Sequence, residues 1–234
     1  MTAITVEDAR SAAAEFIATL LFVFLGAGTV VVTASLGTGE LTVTRLIAIA
    51  FAHGLAIALL VSATGAISGG HINPVVTVAA LVTGKIGVPR ALVYIFAQLG
   101  GAIVGALLIM AVVPNDGGNL GAHSLASDVT VGAGLLTEII LTFALVFVVF
   151  ATAIDPRGKA AIAPMAIGLM VLVGHLFAVP LTGASMNPAR SFGPALVGND
   201  WADHWIYWVG PVSGALLAAI TYQYVYLRNI GRRP

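Results

Sequence analysis

Six apolar stretches of about 20 residues, at 12–35, 46–66, 91–113, 131–154, 160–179 and 205–227, constrain this chain more than any other feature. Each is long enough to span a hydrocarbon core ~30 Å thick. No water reaches the backbone there, so each stretch must satisfy its own N–H and C=O groups, which a helix does. The charge content agrees. Only 9% of the 234 residues are charged, against about 25% in soluble domains, too few to cover a soluble surface of this size. The expectation is a single all-α membrane domain over residues 1–234, with six transmembrane helices. The first stretch carries no small-residue cleavage site and reads as a retained helix rather than a leader.

Charge placement gives an orientation. With the N-terminus inside, the inner side holds Arg10, Lys85, Arg90, Arg157, Lys159, Arg228, Arg232 and Arg233, and the outer side only Arg45 and Arg190. Lys and Arg favour the cytoplasmic side, so both termini are expected there. Ten basic and ten acidic residues cancel, which gives no sign of a nucleic-acid partner, and the absence of cysteine excludes disulfides and cysteine-bound zinc.

The halves of the chain resemble each other. Residues 14–19 (AEFIAT) align with 137–142 (TEIILT), and residues 68–74 (SGGHINP) with 182–188 (TGASMNP). Gly101 and Gly105 match Gly210 and Gly214, a spacing that lets helix backbones approach closely in lipid. Each repeat, 12–113 and 131–227, contains three of the stretches. An odd number of spans inverts the second repeat relative to the first, and such repeats place a functional site near the midplane where interrupted helices meet.

Two shorter segments supply those interrupted helices. Asn73 and Asn187 are good N-caps, Pro74 and Pro188 suit the first helical position, and Gly84 and Gly198, each ten residues past its proline, read as stops. Each segment predicts a re-entrant half-helix of about ten residues, ~15 Å long. Inversion brings the two N-termini together, so both positive dipole ends face one point. A cation or hopping proton meets a barrier there, whereas a neutral dipolar solute can bond to the asparagine amides. Glu15 and Glu138 are acids within apolar spans. Such residues suit proton coupling, or a static role in accepting hydrogen bonds from the half-helix loops, which is the reading preferred here.

Across nearly its whole length, from Ala14-Glu15-Phe16 to Tyr207-Trp208-Val209-Gly210-Pro211 and above all at Asn73-Pro74-Val75 and Asn187-Pro188-Ala189, the chain resembles the major intrinsic protein (aquaporin) family. The resemblance implies an aquaporin-like fold, a homotetramer in the lipid bilayer with one pore per subunit, and a selectivity filter of His53, His175, Ala184 and Arg190. Val75 departs from the usual alanine and is expected to narrow the pore centre slightly or to alter how the half-helices touch. His175, Ser191, Ala195 and Tyr207-Trp208 resemble the water-selective pattern. His53 resembles the tonoplast intrinsic proteins, a subgroup in which a third-loop histidine, here His123, reaches toward the filter arginine. His53 on its own also fits a buried histidine bonded to a carbonyl, and His123 a surface one. Phe22 resembles a residue that closes one side of the central pore.

The function expected is passive passage of water with exclusion of ions and protons, in the cell membrane or a vacuolar one. The alternatives are a channel that also passes ammonia or other small neutral solutes, and a coupled secondary transporter. The sequence holds no nucleophile–base pair, metal cluster or phosphate loop, so neither enzymatic activity nor a cofactor is expected. The orientation is open to test, because the chain lacks cysteine. Asp128→Cys should react with a membrane-impermeant maleimide on intact cells, and Lys159→Cys only after permeabilisation; the reverse pattern would overturn the assignment.

Overall fold

The computed structural model describes residues 5–114 and 118–227. Arg228, Arg232 and Arg233, three of the basic residues assigned to the inner side, lie outside the described residues. Among the described residues there are eight α-helices and no strand: α1 (Val6–Ser35), α2 (Val43–Ser68), α3 (Pro74–Val82), α4 (Val88–Val112), α5 (Val131–Val149), α6 (Ala163–Thr182), α7 (Pro188–Gly198) and α8 (Ile206–Thr221). The two short helices, α3 and α7, lie between long ones, as the resemblance leads one to expect.

Among the described residues, five segments are long and apolar enough to cross a membrane: Val6–Ser35, Val43–Ser68, Val88–Val112, Val131–Ile154 and Ala160–Thr182. The sixth expected span, at 205–227, is composite. Its α-helical part is 16 residues long, and Tyr222–Leu227 continue it with the wider turns of a π-helix. The α5 span ends in the same way, at Phe150–Ile154. The two widened ends meet at Asp155, whose carboxylate accepts from the Arg157 side chain at 2.6 Å and from the Tyr222 hydroxyl at 3.0 Å. Arg157 holds this carboxyl well below the usual carboxylate range, aided by Tyr222. A depressed pKa means that the contact stabilises the fold fully at neutral pH and is lost only as pH falls below the ordinary aspartate range.

Several helices begin earlier than their apolar stretches. At α1, Thr5 and Asp8 form a capping box, the Thr5 hydroxyl accepting from the Asp8 N–H while the Asp8 carboxylate accepts from the Thr5 N–H. Asp8 also pairs with Arg90 at 2.6 Å, which ties the start of α1 to α4. The outward faces carry Leu25, Phe51, Leu59, Phe96, Ile140, Phe177 and Leu217, all exposed in the isolated chain. A continuous apolar exterior is what a hydrocarbon solvent requires, and the chain is an integral multi-pass membrane protein.

Helix contacts recur in matching sets. The most extensive are α1 on α4, α5 on α8, and α2 on α6. Glycine makes them possible. A Cβ on Gly101 would collide with the Phe16 carbonyl, and one on Gly105 would lie 2.6 Å from the Leu20 oxygen. On the other side, a Cβ on Gly214 would collide with the Ile139 carbonyl, and one on Gly210 would lie 2.7 Å from Glu138 Cβ. Each short helix packs on a long helix of the opposite half, α3 on α8 and α7 on α4.

Gly101→Val should therefore force α4 off α1 at a cost of about 3 kcal/mol or more. Size-exclusion chromatography in detergent should show loss of monodisperse protein. A normal elution profile would contradict the close approach.

Candidate functional site

The centre of the molecule is built where the two short helices begin. Asn73 caps α3, its side-chain oxygen accepting from the Val75 N–H at 3.0 Å. Asn187 caps α7 more fully, accepting from Ala189 N–H at 3.0 Å and Arg190 N–H at 3.2 Å. Each amide nitrogen then crosses to the opposite loop. Asn73 Nδ2 donates to the Met186 carbonyl at 2.7 Å, and Asn187 Nδ2 donates to the Ile72 carbonyl at 3.0 Å. The two N-termini thus face each other directly. An amide nitrogen carries two hydrogens, so each asparagine retains one N–H beyond this cross-bond. The stop of α7 differs from expectation. Gly198 is its last residue, and Asn199 takes the left-handed cap at φ +52°, a conformation asparagine tolerates.

The loops leading to these caps are held by the two buried acids. Glu15 accepts from the Ser68 hydroxyl at 2.5 Å, the His71 N–H at 2.9 Å, the Ile72 N–H at 2.6 Å and Gln98 Nε2 at 2.8 Å. Glu138 accepts from the Thr182 hydroxyl at 2.7 Å and from the Ser185 and Met186 N–H groups, both at 2.9 Å. Ile72 and Met186, each immediately before its asparagine, have φ of +56° and +51°. This left-handed region is costly for a β-branched residue such as isoleucine. The carboxylates hold the backbone there by bonding the very N–H groups that the turn exposes.

Two cavities approach this centre from opposite faces. The larger, about 280 Å³, opens on the face that carries Lys85 and Ile86. It is walled by Phe22, Val76, Leu145 and Ile167, and runs past Asn73 and Asn187 to His175. The other, about 180 Å³, lies on the opposite face and is lined by Arg45, Gly121, His123, Ser124, Gly183 and Arg190. His175 lines the first and Arg190 the second, and His53, His175, Ala184 and Arg190 are all buried, none more than 2% exposed. The structure brings three of the expected residues, His53, His175 and Arg190, into contact, while Ala184 is buried in the core cluster that holds Phe22 and Met186.

The partners of the two histidine rings fix their tautomers. Nδ1 of His53 lies 2.9 Å from the Ile49 carbonyl, and Nδ1 of His175 lies 2.8 Å from the Val171 carbonyl. A carbonyl only accepts, so each Nδ1 carries the hydrogen and each Nε2 is an acceptor in the neutral ring. His53 Nε2 receives Arg190 Nε and a terminal guanidinium nitrogen, both at 3.3 Å. Arg190 also donates to the Gly121 carbonyl at 2.6 Å. His175 Nε2 is buried with no protein partner. The rings stack with centroids 4.2 Å apart and planes at 27°, and Phe22 meets His53 edge-on at 5.7 Å. His53 is thus a carbonyl-bonded buried histidine that also stacks on His175 and accepts from Arg190.

Two residues sit differently from expectation. Val75 does not line the cavity. It is fully buried in a cluster with Ala79, Val146, Phe150, Ala215, Ala218 and Ala219, so it packs α3 onto the opposite half and does not narrow the pore centre. Three alanines across the contact leave room for its extra methyl groups. Ala189, its counterpart, packs the same way against Val23, Ala27, Ala102 and Ala106. His123 is buried beside the outer cavity, but it reaches Ser191 Oγ at 2.8 Å and makes no hydrogen bond to Arg190. The third loop touches the arginine through the Gly121 carbonyl instead.

Other contacts have no counterpart in the sequence reading, where Ser191 figures only in the water-selective pattern and Thr77 and Gln98 not at all. Thr77 and Ser191, each four residues after its asparagine, bond a histidine Nδ1: His71 at 3.0 Å and His123 at 2.8 Å. Gln98 joins Thr77 to Glu15. A glutamine within an apolar span is a signal of its own, whereas the Gly121 carbonyl leaves no trace in a side chain.

Comparison with known proteins agrees with this architecture. The family model described as Major intrinsic protein matches residues 2–222. Aquaporin-4 of Mus musculus is 47% identical over 227 residues, covering 94% of this chain and 68% of the relative. A probable aquaporin TIP3-2 of Arabidopsis thaliana is 49% identical over 236 residues, covering 97% of this chain and 88% of the relative. The crystal structure of the aquaglyceroporin from Plasmodium falciparum superposes with a TM-score of 0.81 at 23% identity, covering 93% of this chain and 96% of that one, a likeness of fold.

Glu138→Gln should turn an amide NH2 toward donors that now face a carboxylate, leaving about one buried N–H unpaired at a cost of ~2–3 kcal/mol. Thermal unfolding in detergent should fall by several degrees. An unchanged midpoint would show that the loop holds its conformation without the carboxylate.

Proposed function

The chain belongs to the major intrinsic protein family, and on that premise we propose that it is a passive water channel that excludes ions and protons. The observation that carries this reading is the group between the cavities: His53 stacked on His175 at 4.2 Å, with the Arg190 guanidinium bonded to His53. A fixed cation at the narrowest point repels cations. The polar rims supply what a water needs in exchange for its bulk partners, namely the unpartnered His175 Nε2 as acceptor and Arg190 as donor. They offer a carbon backbone little apolar surface. Deeper in, the facing N-termini of α3 and α7 and the remaining asparagine N–H groups would orient a water with its oxygen toward them. That interrupts a chain of hydrogen bonds along which a proton could hop.

A second reading, that ammonia also passes, has one observation in its favour. The free His175 Nε2 is an acceptor suited to an N–H donor. A cation-coupled transporter fits less well, because two positive helix ends at the centre oppose a cation. The reading includes Phe22 as a wall of the inner pore, His123 as an outer part of the filter, cytoplasmic termini and a homotetramer with one pore per subunit.

Stopped-flow light scattering on proteoliposomes tests the proposal. Water permeability should exceed that of empty vesicles at least about tenfold, equivalent to ~1.4 kcal/mol on the barrier, without proton current and with slow glycerol entry. His175→Gly combined with Arg190→Ala should admit glycerol. Fast glycerol entry in the wild type would sink the filter assignment, and ammonia flux measured on the same vesicles decides the second reading.

A further inference from the structure

Outside the filter itself, one position controls where His53 can lie. Gly26 is buried on α1, one helical turn beyond Phe22. A Cβ placed on it would fall 2.7 Å from His53 Cδ2, 2.7 Å from His53 Nε2 and 3.2 Å from His53 Cε1, its three nearest neighbours. Contacts below 3.0 Å force something to move, and here it is the imidazole. The ring has little freedom to do so. Nδ1 is tied to the Ile49 carbonyl at 2.9 Å, and the ring is stacked on His175 at 4.2 Å. Phe22 stands against its edge at 5.7 Å.

We propose that Gly26 is a positioning residue of the pore, selected for its missing side chain so that the His53 ring can present Nε2 to Arg190. The atom that an added Cβ would meet is the same acceptor that takes two Arg190 donors at 3.3 Å. Displacing the ring removes that acceptor and leaves the guanidinium held by the Gly121 carbonyl. The ring itself is driven toward the space beside His175, where water must pass. This role is separate from the glycines of α4 and α8, whose absent side chains admit helix backbone. At Gly26 the nearest atoms belong to a single side chain.

The inference rests on the reading of His53 as part of the filter, and four proteins separate the two: wild type, Gly26→Ala, His53→Ala and the double variant. Water and glycerol permeability are measured per folded protein in proteoliposomes, with chromatographic yield as the folding control. Gly26→Ala should lower water permeability by about fivefold, ~1 kcal/mol on the barrier, or lower the yield of folded protein. In the His53→Ala background the same substitution should change neither, because the ring it displaces is gone. A helix-packing role would instead give the same loss in both backgrounds, which would overturn the proposal, as would a Gly26→Ala protein that matches the wild type. If His53→Ala leaves the ratio of glycerol to water permeability unchanged, the filter role of His53 falls. If that ratio shifts while Gly26→Ala has no effect, only the positioning role falls.

Discussion

Two buried carboxylates make the centre of this protein possible. A helix that stops halfway across a bilayer leaves a loop at a depth where no lipid can bond its backbone. Glu15 and Glu138 each supply both oxygens to such a loop, taking consecutive N–H groups at His71 and Ile72 in one case and at Ser185 and Met186 in the other. The left-handed residues before the asparagines are tolerable because these bonds exist. The carboxylates are in turn boxed by hydroxyls from Ser68 and Thr182, the last residues of α2 and α6. The geometry of the asparagines, and through them the direction of α3 and α7, follows from this anchoring.

The proposed filter is assembled on the same frame by different means. Its histidines stand on long helices, each tethered to the carbonyl four residues earlier, at Ile49 and Val171. Only Arg190 comes from a half-helix, and its guanidinium is shared between His53 and the Gly121 carbonyl of a loop. Three separate parts of the chain therefore decide the position of one cation. The pseudo-symmetry of the molecule extends to both mouths, where a histidine Nδ1 meets the hydroxyl four residues past the asparagine, Thr77 on one side and Ser191 on the other. The source of the histidine breaks the symmetry: His71 belongs to the re-entrant loop itself, and His123 arrives from the third loop.

Much of this is legible in the sequence because lipid makes the code simple. Six apolar stretches announce spans, and paired Asn-Pro steps announce half-helices. What escapes is set by relationships that carry no local signal. The ends of α5 and α8 widen into π turns where Asp155, Arg157 and Tyr222 meet, a contact invisible to hydropathy. Val75 reads as a pore residue by its place in the motif, yet as the second residue of α3 it packs into the opposite half. The engagement of Arg190 by Gly121 depends on a backbone oxygen. His123 is visible as a residue, but its partner is settled by the path of the loop.

The crossed asparagine amides carry a consequence for the order in which the protein can be completed. Asn73 needs the carbonyl of Met186, a residue 113 positions later in the chain. Val75 needs Val146, Ala215, Ala218 and Ala219 around it. During synthesis the first re-entrant loop can enter the membrane only provisionally, with its cap amide and one face of α3 unmatched until the second half has been made. The ribosome delivers the halves in sequence, but the bonds that join them at the centre need both halves present.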